Sequence, residues 1–266
     1  MLIRNLTTAS TPRVLHRNGN PREWQARWEQ IVAAFFAEVQ EPCEACTELT
    51  ILTWSNRPTQ NLLERCLDRW GAPYVTLGRN LPEWRNDMKP FLIATALDRV
   101  ASEYVLALDC DDILVVSCPL QIVAEFQSCG CDILFGTERN SSPDVPYLTE
   151  FERTIAESRY CYLNSGAWIG KTDALRRFFR DCLEEDNGDI LAVHPTMTIF
   201  RDDQGPTRKT FQRHHPAARL DDHCRIFQSL FGVPLDGELL IAGRGLDAVD
   251  ASPRRDRGGT LIADRV

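Results

Sequence analysis

Between Tyr104 and Val116 the chain reads Tyr-Val-Leu-Ala-Leu-Asp-Cys-Asp-Asp-Ile-Leu-Val-Val, two apolar runs separated by an acidic patch. The first run does not alternate, so it predicts a strand buried on both faces, as in a parallel or mixed sheet flanked by helices. Upstream, Trp24, Trp28, Ile31, Val32, Phe35 and Val39 recur at helical spacing between Pro21 and Pro42 and predict an amphipathic helix. Residues 49–54 read as a buried strand. A turn at 55–58 leads to a helix carrying Leu62, Leu63, Cys66, Leu67 and Trp70, which Gly71 ends, and residues 74–77 read as a second strand. Strand, helix and strand in about thirty residues make a βαβ unit.

The same reading predicts a polar loop over 78–88 with Trp84 exposed, helices over 89–101 and 119–126, a strand over 131–135 and a Ser/Pro-rich loop over 140–147. Residues 161–170 form an apolar strand interrupted by Asn164, Ser165 and Gly166, where a glycine lets a ligand or backbone approach closely. Helices are expected over 173–183 and from about 189 to 200. Gly205-Pro206 predicts a break, His214-His215-Pro216 a solvated turn, and 226–231 and 238–242 two strands. After Gly243 the chain turns charged and Gly-rich and reads as an exposed tail. The fold class expected is a single α/β domain with a mixed, mostly parallel sheet flanked by helices.

Composition narrows the function classes. At 266 residues with 43% hydrophobic content, the chain builds a sizeable core. A net charge of -8 without a Lys/Arg block argues against nucleic acid as a partner. No eighteen-residue apolar run predicts an integral membrane segment, and residues 1–7 lack an apolar signal core, so a cytoplasmic location is expected. Of ten cysteines, Cys66, Cys110, Cys118, Cys131, Cys161 and Cys182 sit in apolar runs as small hydrophobes. Cys43 and Cys46 read as a structural loop pair, since no second pair at zinc-ribbon spacing accompanies them.

Asp109, Asp111 and Asp112 follow the buried strand at its carboxyl end, where open α/β sheets bind ligands. Clustered carboxylate oxygens suit Mg²⁺ or Mn²⁺, which would neutralise a diphosphate. The plainer alternative is a helix cap with two solvated neighbours.

Several segments, in order, resemble the GT-A glycosyltransferases, specifically the glycosyltransferase domain of procollagen lysyl hydroxylases and its stand-alone relatives. Leu49-Thr-Ile-Leu-Thr-Trp54 is similar to the first nucleotide-binding strand, and residues 77–89 to a Leu-Gly…Glu-Trp…Lys loop. Asp109-Cys-Asp-Asp112 resembles the metal motif, Leu163-Asn-Ser-Gly-Ala-Trp-Ile-Gly170 a donor-site strand, and residues 220–228 a Leu-Asp-x-x-Cys-x-Ile-Phe-Gln segment. The resemblance implies a Rossmann-like GT-A fold over residues 48–243. It also implies a UDP-sugar donor, Mn²⁺ or Mg²⁺ as the cofactor, and a hydroxyl-bearing acceptor such as a peptide, glycan or small molecule.

By the same resemblance Asp109 and Asp112 ligate the metal, Thr53 lies by the base, Trp84 and Lys89 lie near the nucleotide sugar, and Asn164, Ser165 and Gly166 line the donor sugar. Asp203 and Gln204 match an Asp-Asp-Gln whose acidic members face donor and acceptor, and Asp189 competes for that role. Two departures stand out. Asp111 replaces the aromatic residue that stacks on uracil. The family's carboxyl-terminal His-x-Asn-Gly has no counterpart after Gly243, yet His16-Arg-Asn18-Gly19 has its form within the segment 1–47. A circular permutation would explain this, with His16 as third metal ligand; the alternative is an ordinary turn and a lost ligand. Two rival readings remain open here: a haloacid-dehalogenase-type phosphatase with Asp109 as nucleophile, and a degenerate sugar-nucleotide-binding domain.

Overall fold

A computed structural model describes residues 1–19, 21–38, 41–44, 46–193, 202–243 and 246. In chain order the elements are β1 (Leu2–Asn5), β2 (Val14–His16), α1 (Gln25–Ala37), β3 (Leu49–Trp54), α2 (Leu62–Trp70), β4 (Tyr74–Leu77), α3 (Lys89–Leu97), β5 (Tyr104–Leu108), β6 (Ile113–Val115) and α4 (Pro119–Cys129). They continue with β7 (Ile133–Glu138), α5 (Pro146–Ile155), β8 (Tyr162–Lys171), α6 (Thr172–Leu183), α7 (Gly188–Val193), α8 (Gln204–His214), β9 (Ala218–Leu220), β10 (Phe227–Ser229) and β11 (Leu239–Ala242).

Among the described residues the main sheet has the order β4-β3-β5-β8-β7-β9, in which β8 alone runs against its neighbours. β5 is buried throughout, as its unbroken apolar run requires. Leu106 and Leu108 face a core shared with Trp28, Ile31, Leu63, Leu67 and Phe126, so α1, α2 and α4 cover one face. Val105 and Ala107 face Ile93, Leu97, Phe178 and Phe211, so α3, α6 and α8 cover the other. This is the mixed α/β architecture expected.

Two smaller sheets hang on this frame. β2 lies between β10, parallel to it, and β6, antiparallel to it. β1 pairs antiparallel with β11, so Leu2 sits across from Ala242.

Several expectations need correction. Gly205-Pro206 does not break the chain: α8 begins at Gln204 and runs through both. A proline in the first helical turn gives up an N–H that has no intrahelical acceptor there anyway. His214-His215-Pro216 is no solvated turn, because His214 Nε2 lies 2.7 Å from Asp181 Oδ2 and the His215 ring packs on Phe151 and Phe211. The loop expected over 140–147 gives way to α5 at Pro146, a helix that the reading of local pattern passed over. Trp84 is half-buried and packs over Gly78, whose φ of 77° and lack of a Cβ make room for the indole. Cys43 is disulfide-bonded to Cys118 across 75 residues, while Cys46 is free. The helix expected to about residue 200 is seen as α7 to Val193; its remainder and most of the tail after Gly243 lie outside the described residues. Among those residues no helix is long and apolar enough to cross a membrane.

Candidate active site

β5 ends at Leu108, and Asp109 still donates its N–H to Gly166 O on β8 at 2.7 Å. That pairing sets the Asp109 side chain directly over Gly166: a Cβ there would fall 2.0 Å from Asp109 Oδ2 and 2.9 Å from His16 Cε1. The glycine in the middle of β8 is therefore a steric requirement of the acidic site. Four residues after Asp109 β6 starts, and its partner β2 puts His16 across from Ile113. Arg17 N–H donates to Asp112 O at 2.8 Å, and Leu230 N–H to His16 O at 2.9 Å, so backbone bonds on both sides hold the imidazole.

The result is a three-member cluster. His16 Nε2 lies 3.6 Å from Asp109 Oδ2 and 3.5 Å from Asp112 Oδ1, and the three donor atoms lie within 4.8 Å of one another. His16 Nε2 is buried and has no hydrogen-bond partner. An orphaned imidazole nitrogen facing two carboxylate oxygens fits a divalent first-row cation. Burial pulls the His16 pKa down, but Asp112 and Asp109 outweigh it and hold the imidazole above its ordinary value. Burial raises the Asp109 carboxyl despite Lys89 and His16, whereas His16 and Arg17 overcome burial at Asp112 and lower it.

Lys89 opens α3 yet is buried, bridging Asp109 Oδ1 at 3.3 Å and Asp203 Oδ2 at 2.8 Å. Its ammonium lies 4.5 Å from the Trp54 ring centroid, and Trp54 Nε1 donates to Asp109 Oδ1 at 2.7 Å. Burial opposes the charge on Lys89, but Asp109 and Asp203 raise its pKa beyond that of a free lysine. Gln204, next to Asp203, accepts the Ser165 N–H at 3.2 Å. Asn164 Oδ1 accepts the Gly166 N–H at 2.9 Å.

Three side-chain amides meet on Glu138, at the end of β7: Asn18 Nδ2 at 2.9 Å, Asn164 Nδ2 at 3.0 Å and Gln204 Nε2 at 3.1 Å. Asn18 Oδ1 accepts in turn from Ser229 Oγ and Phe231 N–H. Gly19 turns the chain with φ 67°, and a Cβ there would meet the Phe231 ring at 2.7 Å.

The cluster borders a cleft of about 580 Å³ lined by Arg17, Trp54, Ser55, Asn56, Trp84 and Asp111, among others. Of the residues named from sequence, His16, Asn18, Gly19, Trp84, Lys89, Asp109, Asp111, Asp112, Asn164, Ser165, Gly166, Asp203 and Gln204 converge on this region. Thr53 does not line the cleft: it is fully buried and its hydroxyl has no partner. Asp189 is engaged elsewhere, accepting from Tyr147 OH at 2.7 Å and Lys209 Nζ at 2.9 Å. Glu138 and Arg57 escaped the sequence reading. An acidic residue closing an apolar strand, the signal that marked Asp109, also marks Glu138.

A mostly parallel sheet covered by helices on both faces, with a partly buried acid-histidine cluster at the carboxyl end of its strands beside an open cleft, is an α/β architecture of the GT-A type. The sequence matches the PLOD GT domain family over residues 49–251, and the chain therefore belongs to this family of lysyl hydroxylase glycosyltransferase domains. The match begins at β3 and leaves β1, β2 and α1 outside it. No curated protein matches the chain.

Proposed function

We propose that the protein is a metal-dependent glycosyltransferase that moves a hexose from a UDP-sugar to a hydroxyl acceptor. In the same reading its domain is circularly permuted, so that His16 completes the ion site. The observation that carries this is the meeting of His16 with Asp109 and Asp112 in a chain of the PLOD GT domain family. β2 fills a place between β6 and β10, and β1 lies against β11, so relocating the segment 1–47 asks only for a changed connection between neighbouring strands.

His16, Asp109 and Asp112 would hold Mn²⁺ or Mg²⁺, which when bound supplies positive charge to a leaving diphosphate. Lys89, buried and charged, anchors Asp109 and adds a cation beside it. Asn164, Ser165 and Gly166, with Asn18 and Gly19, shape the wall that receives the diphosphate and sugar, and Trp84 and Asp111 flank the nucleoside. Asp203 is the carboxylate assigned to accept the acceptor hydroxyl's proton. Asp203 is preferred to Asp189 because Lys89 links it to Asp109, whereas Asp189 pairs with Tyr147 and Lys209 instead.

The test is calorimetric binding of a panel of UDP-sugars with and without Mn²⁺, on wild type and His16→Ala, followed by UDP release with sugar, peptide and small-molecule acceptors. Mn²⁺-dependent binding of one UDP-sugar, lost in the variant, is the expected result. Unchanged metal affinity in His16→Ala would remove the permuted ligand, and phosphate release from phosphomonoesters without UDP turnover would replace the transferase with a phosphatase.

A further inference from the structure

The cleft beside the ion cluster carries an exposed ion pair on one wall. Asp111 stands between Asp109 and Asp112, but while those two face His16, Asp111 faces the loop after β3, where its Oδ2 pairs with Arg57 Nη1 at 2.8 Å. Both partners line the cleft together with Trp54 and Trp84, and their side chains are 63% and 41% exposed for Arg57 and Asp111. An ion pair this open contributes little to folding, because water screens it and both side chains lose rotamer freedom. What the pair does accomplish is geometric: it fixes a planar cation on the cleft wall, held by a carboxylate that lies between Asp109 and Asp112 in sequence.

Planarity and charge make that wall suitable for a nucleobase. A guanidinium is flat, delocalised and weakly hydrated, and it stacks on π-faces in a way that a lysine ammonium does not. Asp111 orients it on the cleft wall.

We propose that Arg57, held by Asp111, is the platform on which the base of the donor nucleotide stacks. The proposal rests on the nucleotide-sugar reading of the cleft and deepens it. A guanidinium face meets any base, so this wall provides affinity for a nucleoside over a bare diphosphate, not discrimination between bases. Base-edge selection then falls to polar groups of the same cleft such as Ser55 and Asn56.

Binding of UDP, GDP and inorganic pyrophosphate, each with Mn²⁺, to wild type, Arg57→Ala, Arg57→Lys and Asp111→Asn tests this. Arg57→Ala and Arg57→Lys are expected to weaken UDP and GDP about tenfold, the effect of a modest base-stacking contact, while pyrophosphate affinity and Tm stay at wild-type values. Asp111→Asn, which frees the guanidinium without removing it, is expected to weaken UDP less than Arg57→Ala does. Equal losses for UDP and pyrophosphate would make Arg57 a charge on the diphosphate and overturn the proposal, as would full UDP affinity in Arg57→Lys. UDP affinity unchanged in Arg57→Ala would sink the platform and leave the transferase standing. Failure of wild type to bind either nucleotide would overturn both readings.

Discussion

Asn18 and Asn164 donate to opposite oxygens of the same carboxylate, Glu138 Oε2 at 2.9 Å and Oε1 at 3.0 Å. Through that carboxylate the turn after β2 is tied to the middle of β8, and Gln204 ties in the start of α8. Burial raises the Glu138 pKa, and the Asn164 and Gln204 amides pull it back toward the ionised form. Glu138→Gln sets a fourth amide against three amide donors, so one of them must turn away. We expect kcat/KM to fall roughly 10–100-fold, the usual cost of disturbing groups that support a metal site. Mn²⁺ affinity should change less, because no ion ligand is touched. Normal turnover in the variant would show that the three amides keep their places without the carboxylate.

Gly166→Ala makes a sharper test of the cluster. Its methyl would stand 2.0 Å from Asp109 Oδ2, against a side chain already committed to Trp54 and Lys89. Overpacking of this kind costs about 1–3 kcal/mol in stability, whereas displaced ligands remove the ion site. The expected outcome is a folded protein by circular dichroism whose Tm no longer responds to Mn²⁺. A retained Mn²⁺ response would mean that Asp109 is not an ion ligand.

What could be read from the chain depended on whether the signal was local. The unbroken apolar run of β5, the largely apolar runs of β3 and β8 and the regular spacing in α1 and α2 announce their elements, because burial on both sheet faces or along one helix face leaves its mark in the sequence. β1 and β2, of four and three residues, are too short to carry a period. β2 drew notice only through the His16-Arg-Asn-Gly motif. Gly205 and Pro206 signal a break when taken alone, and only the helix geometry shows that both sit where their backbone defects cost least. The Cys43–Cys118 bond and the convergence on Glu138 join residues 26 to 120 positions apart, distances across which spacing says nothing.

Asp221 yields a pH prediction. It accepts backbone N–H groups from Arg225 at 2.8 Å, Ile226 at 2.8 Å and Phe227 at 2.7 Å, fastening the turn into β10, the strand beside His16. Burial outweighs those donors and pushes its carboxyl from an ordinary 3.8 up to about 6. A folded-state pKa above the unfolded one means that the folded protein holds the proton more tightly. The stability this lends is present below about pH 4 and is lost as pH rises through about 6. Against Asp221→Asn, which does not titrate, wild type should lose roughly 2 kcal/mol between pH 4 and 7. Denaturant titrations of both proteins across that range check it, and a constant difference would show that the three N–H donors fully offset burial.

The last prediction concerns what holds α8 in place. Arg208 forms a two-pronged pair with Glu152 of α5, Nε to Oε1 at 2.8 Å and Nη2 to Oε2 at 2.8 Å, with both side chains essentially inaccessible. Arg208 also donates to Pro143 O, in the loop whose Ser142 O accepts from Gln204. Glu152→Gln leaves a buried guanidinium without its counter-charge, which costs about 3–5 kcal/mol and should lower Tm by roughly 10 °C in a domain of this size. Because Asp203 and Gln204 open the same helix, donor affinity should fall with it. Replacing both partners, Glu152→Met with Arg208→Met, removes the unpaired charge and fills the same space with apolar atoms. The double variant is expected to regain most of the lost Tm. If it is instead no more stable than Glu152→Gln, the contribution of the pair lies in its directed hydrogen bonds, including the one to Pro143, and not in charge balance.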